Sequence, residues 1–209
     1  SGTSCESCHG ASSDWLAIHD NYGGKDVKRE QEAADHKSKR VADSTAAGLI
    51  WPTMKYEVAE NCMTCHGLAH PGLKADDLAK MLGAGHPINP GFELVKYSQG
   101  SVRHRHYPPD IKTNAEMTPQ ELAQIYLVGQ AAALVSATEV ISKSSEAKYK
   151  EAQSKRVEIA KSALGGVSEA AGLLAAPTRE NAIKFVQSIA GKDLTSAVGS
   201  KLPAKSDYK

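Results

Sequence analysis

The sequence predicts a mainly α fold, with loops and short helices in the first half and a helical bundle in the second. Apolar residues recur with the 3.6-residue period of a helix towards the C-terminus, and no segment alternates convincingly as a strand would. Gly, Pro and His are concentrated before residue 112. We therefore expect two regions, residues 1–112 and residues 113–209, with the second packed on the first.

Composition limits both the core and the partners. The 209 residues include only two Phe, and aromatic residues make up 5% of the chain. Such a core must be filled by aliphatic side chains or by a group that is not amino acid. The net charge of +1 gives no electrostatic reason to expect nucleic acid or an anionic membrane as a partner. The most apolar stretch, Ile125–Val135, is shorter than the ~20 residues of a spanning helix, so no transmembrane segment is expected.

Three helices are predicted in residues 113–209. Thr118–Glu121 forms a capping box with Pro at the first helical position, and the helix that follows should run to about Ser142. A charged, half-solvated helix spans Ser145–Leu164 and ends at two glycines. A third begins near Thr178 and runs to Ala190, before a glycine ends it. The expected apolar positions of the first and third helices are Leu122, Ile125, Tyr126, Gly129, Ala132, Ala133, Ile183, Val186, Ile189 and Ala190.

All four cysteines lie in two C-x-x-C-H motifs, at residues 5–9 and 62–66. A structural disulfide would not explain the His that directly follows each second Cys. The other alternative is a zinc site with four thiolate ligands. Two complete motifs predict two covalent haem c groups. Cys5, Cys8, Cys62 and Cys65 would bind the haem vinyl groups, and His9 and His66 would be the proximal iron ligands.

Covalent haem accounts for the first half of the chain. The haem supplies a core around which haem-wrapping loops and short helices can fold. Because haem c is attached outside the cytoplasmic membrane, we expect a periplasmic or extracellular protein. The chain opens at Ser1 without a signal peptide, and we expect it to be a mature product or a fragment.

Six other histidines are candidates for the distal iron position, and they outnumber the methionines that could compete with them. Bis-His iron is therefore favoured over His–Met iron. His19 follows a short amphipathic turn, and His86 lies between glycines and a proline, so these two are the leading candidates. His36, on a charged helix predicted over Val27–Ala47, and His104 are further candidates. The remaining two, which we interpret as surface residues, are His70 and His106.

Several other segments of the first 110 residues match a known family. They are Ser4–Gly10, Trp15, His19, Tyr22–Lys25, His36 with Arg40, Asn61–His66, Gly85–Pro87, Phe92–Leu94, Ser98–Gly100 and Arg103–His104. On these residues the chain resembles the multihaem cytochrome c family that includes the tetrahaem electron carrier of ammonia oxidisers. The resemblance implies a mostly helical fold, closely packed bis-His haems and electron transfer. In that family another haem motif usually precedes the first run, so either the haem set is reduced or an upstream part lies outside this chain.

Three functions fit these observations. The first is an electron carrier between redox protein partners. The second is a haem enzyme or sensor whose open iron binds a small nitrogen or oxygen species, with a polar pocket lined by His36 and Arg40 or by Arg103 and Arg105. The simpler interpretation of these arginines is pairing with haem propionates. The third is a haem subunit of a larger assembly, because the surplus histidines could ligate haems of a neighbouring haem-bearing chain.

Overall fold

The computed structural model describes residues 5–100 and 116–209, and these contain eleven α-helices and no β-strand. The predicted mainly α class is confirmed. In the order of the chain the helices are α1 Glu6–His9, α2 Leu16–His19, α3 Ala34–Ala46, α4 Lys55–His66, α5 Ala75–Gly83, α6 Leu94–Ser98, α7 Pro119–Lys143, α8 Ala147–Leu164, α9 Ala171–Ala175, α10 Arg179–Ser188 and α11 Thr195–Val198. Short 3-10 turns lie at Arg29–Gln31, Ser168–Ala170, Gly199–Lys201 and Lys205–Asp207.

The chain divides into two compact units, Ser1–Met54 and Lys55–Lys209. The domain boundary predicted between residues 112 and 113 lies outside the described residues. The first unit holds the first C-x-x-C-H motif. The second unit holds the second motif together with all of the C-terminal helices, because α4 packs directly on α7.

The first unit is built from α1, α2 and α3. The helix predicted over Val27–Ala47 begins later than expected, because only Ala34–Ala46 is α-helical. Residues 29–31 form a 3-10 turn, and Glu32 has an extended conformation with φ −63° and ψ 127°. This extended step turns the Glu32 side chain back towards Arg40, eight residues further on, so a tertiary ion pair replaces the first helical turns.

Helix α7 is the centre of the second unit. Its start is the predicted capping box: Thr118 Oγ1 accepts from the Glu121 amide at 3.3 Å, and Glu121 Oε2 accepts from the Thr118 amide at 2.7 Å. The expected single apolar face is wrong, because every residue from Ala123 to Val135 is buried. By length and hydropathy α7 could cross a membrane, but 72% of its most apolar window is buried inside this unit. Burial on all sides is what a core helix requires.

The remaining bundle helices lie close to their predicted positions. Helix α8 begins at Ala147, and its buried side includes the polar residues Gln153 and Arg156. Helix α10 begins at Arg179, after the Thr178 hydroxyl, which accepts from the Asn181 amide at 3.2 Å. Its core face differs in part from the predicted stripe, of which Ile189 is buried as expected. The buried residues are Ala182, Phe185 and Ile189, with Ile183 and Val186 partly buried beside them.

Candidate haem-binding sites

The first motif forms a single helical turn. The Cys5 carbonyl accepts hydrogen bonds from the Cys8 amide at 3.2 Å and from the His9 amide at 2.9 Å. Because residues three positions apart share one face of a helix, both thiols lie on the same side of α1. Cys5 is exposed, Cys8 is half-buried, and neither is in a disulfide. The turn therefore presents two thiols side by side, as attachment to one haem requires.

His9 is held at two points by Ile50. The Ile50 amide donates to the His9 carbonyl at 3.0 Å, and His9 Nδ1 lies 2.6 Å from the Ile50 carbonyl oxygen. A carbonyl oxygen only accepts, so Nδ1 carries a proton, and in the neutral ring the lone pair is on Nε2. Histidines that bind a metal through one nitrogen usually donate the other N–H to such an oxygen. His9 thus has the tautomer of a proximal iron ligand.

The residues around this motif leave a buried donor without an acceptor. Gly10 has a φ of +83°, and a Cβ atom there would lie 2.5 Å from the Gly48 carbonyl oxygen, so only glycine fits. The indole Nε1 of the buried Trp15 is 4.0 Å from the position that this Cβ atom would occupy. Within the described part of the chain this N–H has no hydrogen-bond partner. Such orphan donors are rare in folded proteins, so this N–H is a candidate contact for a bound group.

The second motif forms the last turns of α4. Cys62 is half-buried against the core of the second unit, whereas Cys65 and His66 are exposed. The helical spacing again places both thiols on one face. The second motif is therefore anchored in the core at Cys62 and reaches the surface at Cys65 and His66.

His66 stacks on Phe92. The two rings are nearly parallel, with an interplanar angle of 5° and centroids 3.9 Å apart. Tyr97 lies beside both, 5.9 Å from the His66 ring and 4.9 Å from the Phe92 ring. Burial on this side lowers the pKa of His66, which favours the neutral imidazole that can ligate iron. The stacked ring fixes the orientation of the His66 imidazole.

Helix α8 holds the two residues that follow His66. The Gly67 carbonyl accepts from Gln153 Nε2 and Arg156 Nη1, both at 3.0 Å. The Tyr149 hydroxyl donates to the Leu68 carbonyl at 2.5 Å. Leu68 has a left-handed φ of +48°, which costs a branched residue free energy and needs such anchoring. The path of the chain after the second motif is thus set by a helix about ninety residues away.

The leading distal candidates have the same ring tautomer as His9. His19 Nδ1 lies 2.6 Å from the Leu16 carbonyl oxygen, and the Trp15 ring contacts His19 edge-on at 5.1 Å. His86 Nδ1 lies 2.9 Å from the Pro87 carbonyl oxygen, and His86 is exposed. Both rings therefore have their lone pair on Nε2. His19 shares a unit with His9, and His86 shares a unit with His66.

His36 belongs to a buried polar network of the first unit. Glu32, whose side chain is 1% exposed, accepts from Arg40 at 2.7 and 2.6 Å and from His36 Nδ1 at 2.8 Å. Arg40 also donates to the His19 carbonyl at 2.6 Å. The Arg40 guanidinium, with a smaller contribution from His36, lowers the pKa of Glu32 to about 2. The network thus joins the backbone of one distal candidate to the side chain of another.

Three donors of Arg40 are already used within the protein. Its Nε, Nη1 and Nη2 atoms each donate to a protein acceptor, and its side chain is 7% exposed. Its pairing with a haem propionate, or its place in a polar distal pocket, stays a prediction for the N–H groups that remain. Arg103 and Arg105, the other arginines considered for these roles, lie outside the described residues.

The remaining histidines divide into two groups. His70 Nδ1 accepts from the Gly72 amide at 3.0 Å, so its Nε2 carries the proton of the neutral ring and its tautomer does not suit a ligand. This agrees with its interpretation as a surface histidine. His104 and His106 lie outside the described residues, so the prediction for His104 stays open.

Sequence reasoning missed the contribution of α8. Tyr149, Gln153 and Arg156 lie at four- and three-residue spacing, which is one face of a helix. Two of the three are polar, so the face resembles a solvated one when only apolar residues are counted. A Gln and an Arg in register with a Tyr are the signal that could have indicated a buried polar face.

The alternatives to haem were a disulfide and a zinc site. No disulfide joins any of the four cysteines, all of which lie in the described part of the chain. Across residues 5–100 and 116–209 no three His, Cys, Asp or Glu side chains form a group that could hold a metal ion, and a zinc site built from thiolates alone needs four. A haem iron takes at most two protein ligands, so that finding leaves the haem interpretation unaffected. No protein-family model, curated protein or solved structure matches this chain.

Proposed function

We propose that this chain is a dihaem c-type cytochrome that transfers electrons between redox partners. The observation that carries the proposal is the state of the motif histidines. His9 donates Nδ1–H to a backbone carbonyl, and the ring of His66 is held by stacking on Phe92. Each histidine follows directly on a helical turn that presents two reduced thiols on one face.

The chain would hold each haem at three points. Cys5 and Cys8 would bind the first group through thioether bonds, with His9 on the iron. Cys62, Cys65 and His66 would hold the second in the same way. When bound, haem supplies a reversible one-electron couple. The protein contributes rigidity: Ile50 immobilises the ring of His9, and Phe92 immobilises the ring of His66.

The distal positions favour a carrier over an enzyme or sensor. His19 and His86 both have Nδ1 bound to a carbonyl oxygen, which leaves Nε2 as the ligating nitrogen. We propose His19 for the haem of the first unit and His86 for that of the second. Two protein ligands per iron would leave no position open for a small molecule. Haem attachment of this type also makes the periplasm or the cell exterior the proposed location.

Intact mass of the denatured holoprotein tests the cofactor count. We expect an excess of two haems over the polypeptide in the wild type. The double variants Cys5→Ser/Cys8→Ser and Cys62→Ser/Cys65→Ser should each carry one, so each is the control for the other. An unmodified polypeptide from a host competent in haem c attachment would refute the proposal. The reduced spectrum with carbon monoxide then separates the alternatives, because a carrier stays unchanged and an open iron site shifts.

The third hypothesis, a subunit of a larger multihaem assembly, has an observation in its favour. The first unit contains one haem motif but three histidines whose Nδ1 faces an oxygen atom: His9, His19 and His36. Since one iron needs two of them, the third would be available to a haem of a neighbouring chain. Light scattering with haem counting decides: a stable two-haem monomer argues against an assembly.

A further inference from the structure

Arg156 is a buried cation that has no carboxylate among its contacts with the described residues. Its side chain lies on α8 and the residue is 3% exposed. The guanidinium donates to the Gly67 carbonyl at 3.0 Å, Gln153 Oε1 at 2.6 Å and Ser136 Oγ at 3.0 Å. Its remaining contact is Met63 Sδ at 3.2 Å. All four partners are neutral, so the positive charge is solvated by dipoles alone within the described part of the chain.

This charge lies against the second haem motif. Met63 stands between Cys62 and Cys65, and Gly67 directly follows His66. A Cβ atom on Gly67 would lie 2.5 Å from Arg156 Nη2, so the guanidinium touches the backbone beside the proximal ligand. Burying an unpaired charge costs free energy, and packing alone would be served better by an apolar residue. Arg156 anchors the Gly67 carbonyl, but the neutral Gln153 donates to the same oxygen, so this anchoring does not by itself require a charge.

The first unit provides a contrast. Its buried arginine, Arg40, is paired with the Glu32 carboxylate at 2.6 Å, so the local charge is compensated. In the second unit Arg156 has no such partner among the residues that the structure describes. An arginine keeps its proton at neutral pH even here, where burial lowers its pKa to about 10. Among the described residues, the buried arginine at the second motif thus lacks the carboxylate partner that Arg40 has in the first unit.

We infer that Arg156 sets the reduction potential of the second haem, raising it by placing a fixed positive charge beside the motif. This inference rests on the proposed function. Reduction adds an electron to the iron, and a nearby cation in a medium of low dielectric constant stabilises the reduced form. The charge and hydrogen bonding around a metal site are established determinants of its potential. Arg156 acts through the protein interior and is a positioning and electrostatic residue rather than an iron ligand.

Potentiometric titration of a protein with only the second haem tests this role. In the Cys5→Ser/Cys8→Ser background we expect Arg156→Gln to lower the reduction equilibrium constant by roughly tenfold, which is about 59 mV for a one-electron couple. Gln153→Glu should have the same sign, because it adds a carboxylate to the cation while Arg156 stays in place. Arg156→Lys keeps the charge and should retain most of the potential.

The matched control is Arg179→Gln. It removes the same charge from the same unit, but Arg179 is about half exposed and already paired with Glu60 at 3.0 Å. We expect little shift there, because water screens the exposed charge. The inference is overturned if Arg156→Gln leaves the potential unchanged, if Arg179→Gln shifts it equally, or if Arg156→Lys loses as much as Arg156→Gln.

Folding defects are distinguishable from the expected effect. For each variant whose potential is measured, circular dichroism should show an unchanged helical content and the visible spectrum should stay low-spin. If Arg156→Gln does not fold, Gln153→Glu and Arg156→Lys test the inference in its place. A lower potential in Gln153→Glu, with an unchanged potential in Arg156→Lys, supports an electrostatic role. Equal potentials in these two variants refute it. Absence of haem from the wild type would instead refute the proposed function.

Discussion

The bond from Tyr149 to Leu68 gives the sharpest stability prediction. Tyr149 is 1% exposed and Leu68 is 2% exposed, so both the hydroxyl and the carbonyl are shielded from water. The substitution Tyr149→Phe keeps the ring and removes the hydroxyl that donates to the Leu68 carbonyl at 2.5 Å. The Leu68 carbonyl would then be left without this donor in a site that water does not reach.

The expected cost follows from that burial. Leaving a buried acceptor unsatisfied costs about 1–3 kcal/mol, whereas an exposed hydroxyl contributes almost nothing. With a central value of about 2 kcal/mol, a unit of this size should lose about 4–8 °C in its melting temperature. The segment around Gly67 and Leu68, directly after the second motif, should also unfold locally more easily than in the wild type.

Urea denaturation followed by circular dichroism measures this cost. Tyr97→Phe is the matched control, because Tyr97 is 42% exposed. We expect a lower midpoint for Tyr149→Phe with an unchanged slope, and no change for Tyr97→Phe. Hydrogen exchange at the Leu68 and Ala69 amides should also accelerate in the Tyr149 variant only. Equal midpoints for the two variants would refute the reasoning.

Three further predictions concern the first unit and the iron ligands. Arg40 lowers the pKa of Glu32 from 4.5 to about 2, so the stabilisation by this carboxylate is present above pH 4.5 and lost as the pH falls towards 2. In Glu32→Gln the urea midpoint should therefore depend less on pH across this range. His19→Ala and His86→Ala should each introduce a high-spin component into the visible spectrum, and a low-spin spectrum in both variants would contradict their distal role. Met117→Leu should leave the spectrum unchanged, because residues 113–209 contain no His or Cys and we expect no iron ligand there; a spectral shift would assign this sulfur to iron.

Much of the helical framework was predictable from local signals. The capping box at Thr118 and Glu121 depends on residues three positions apart, and it starts α7 where expected. The glycines after Leu164 and Ala190 likewise mark helix ends within a few residues. The helix predicted from Val27 began late because Glu32 is extended to reach Arg40, an interaction that local propensity does not contain.

The sequence by itself determined the chemistry expected of the motifs, because thioether attachment and proximal ligation depend on residues within one helical turn. It also determined the helical class and the surplus of histidines over motifs. Only the tertiary structure decided that Nδ1 of His9 is protonated, since this ring meets the carbonyl oxygen of Ile50, 41 residues away, whereas His19 and His86 each meet a carbonyl oxygen within three residues of their own position. It alone brought Arg156 to Met63 and Gly67, because contacts between residues about ninety positions apart follow from the packing of α4, α7 and α8 and from no local pattern.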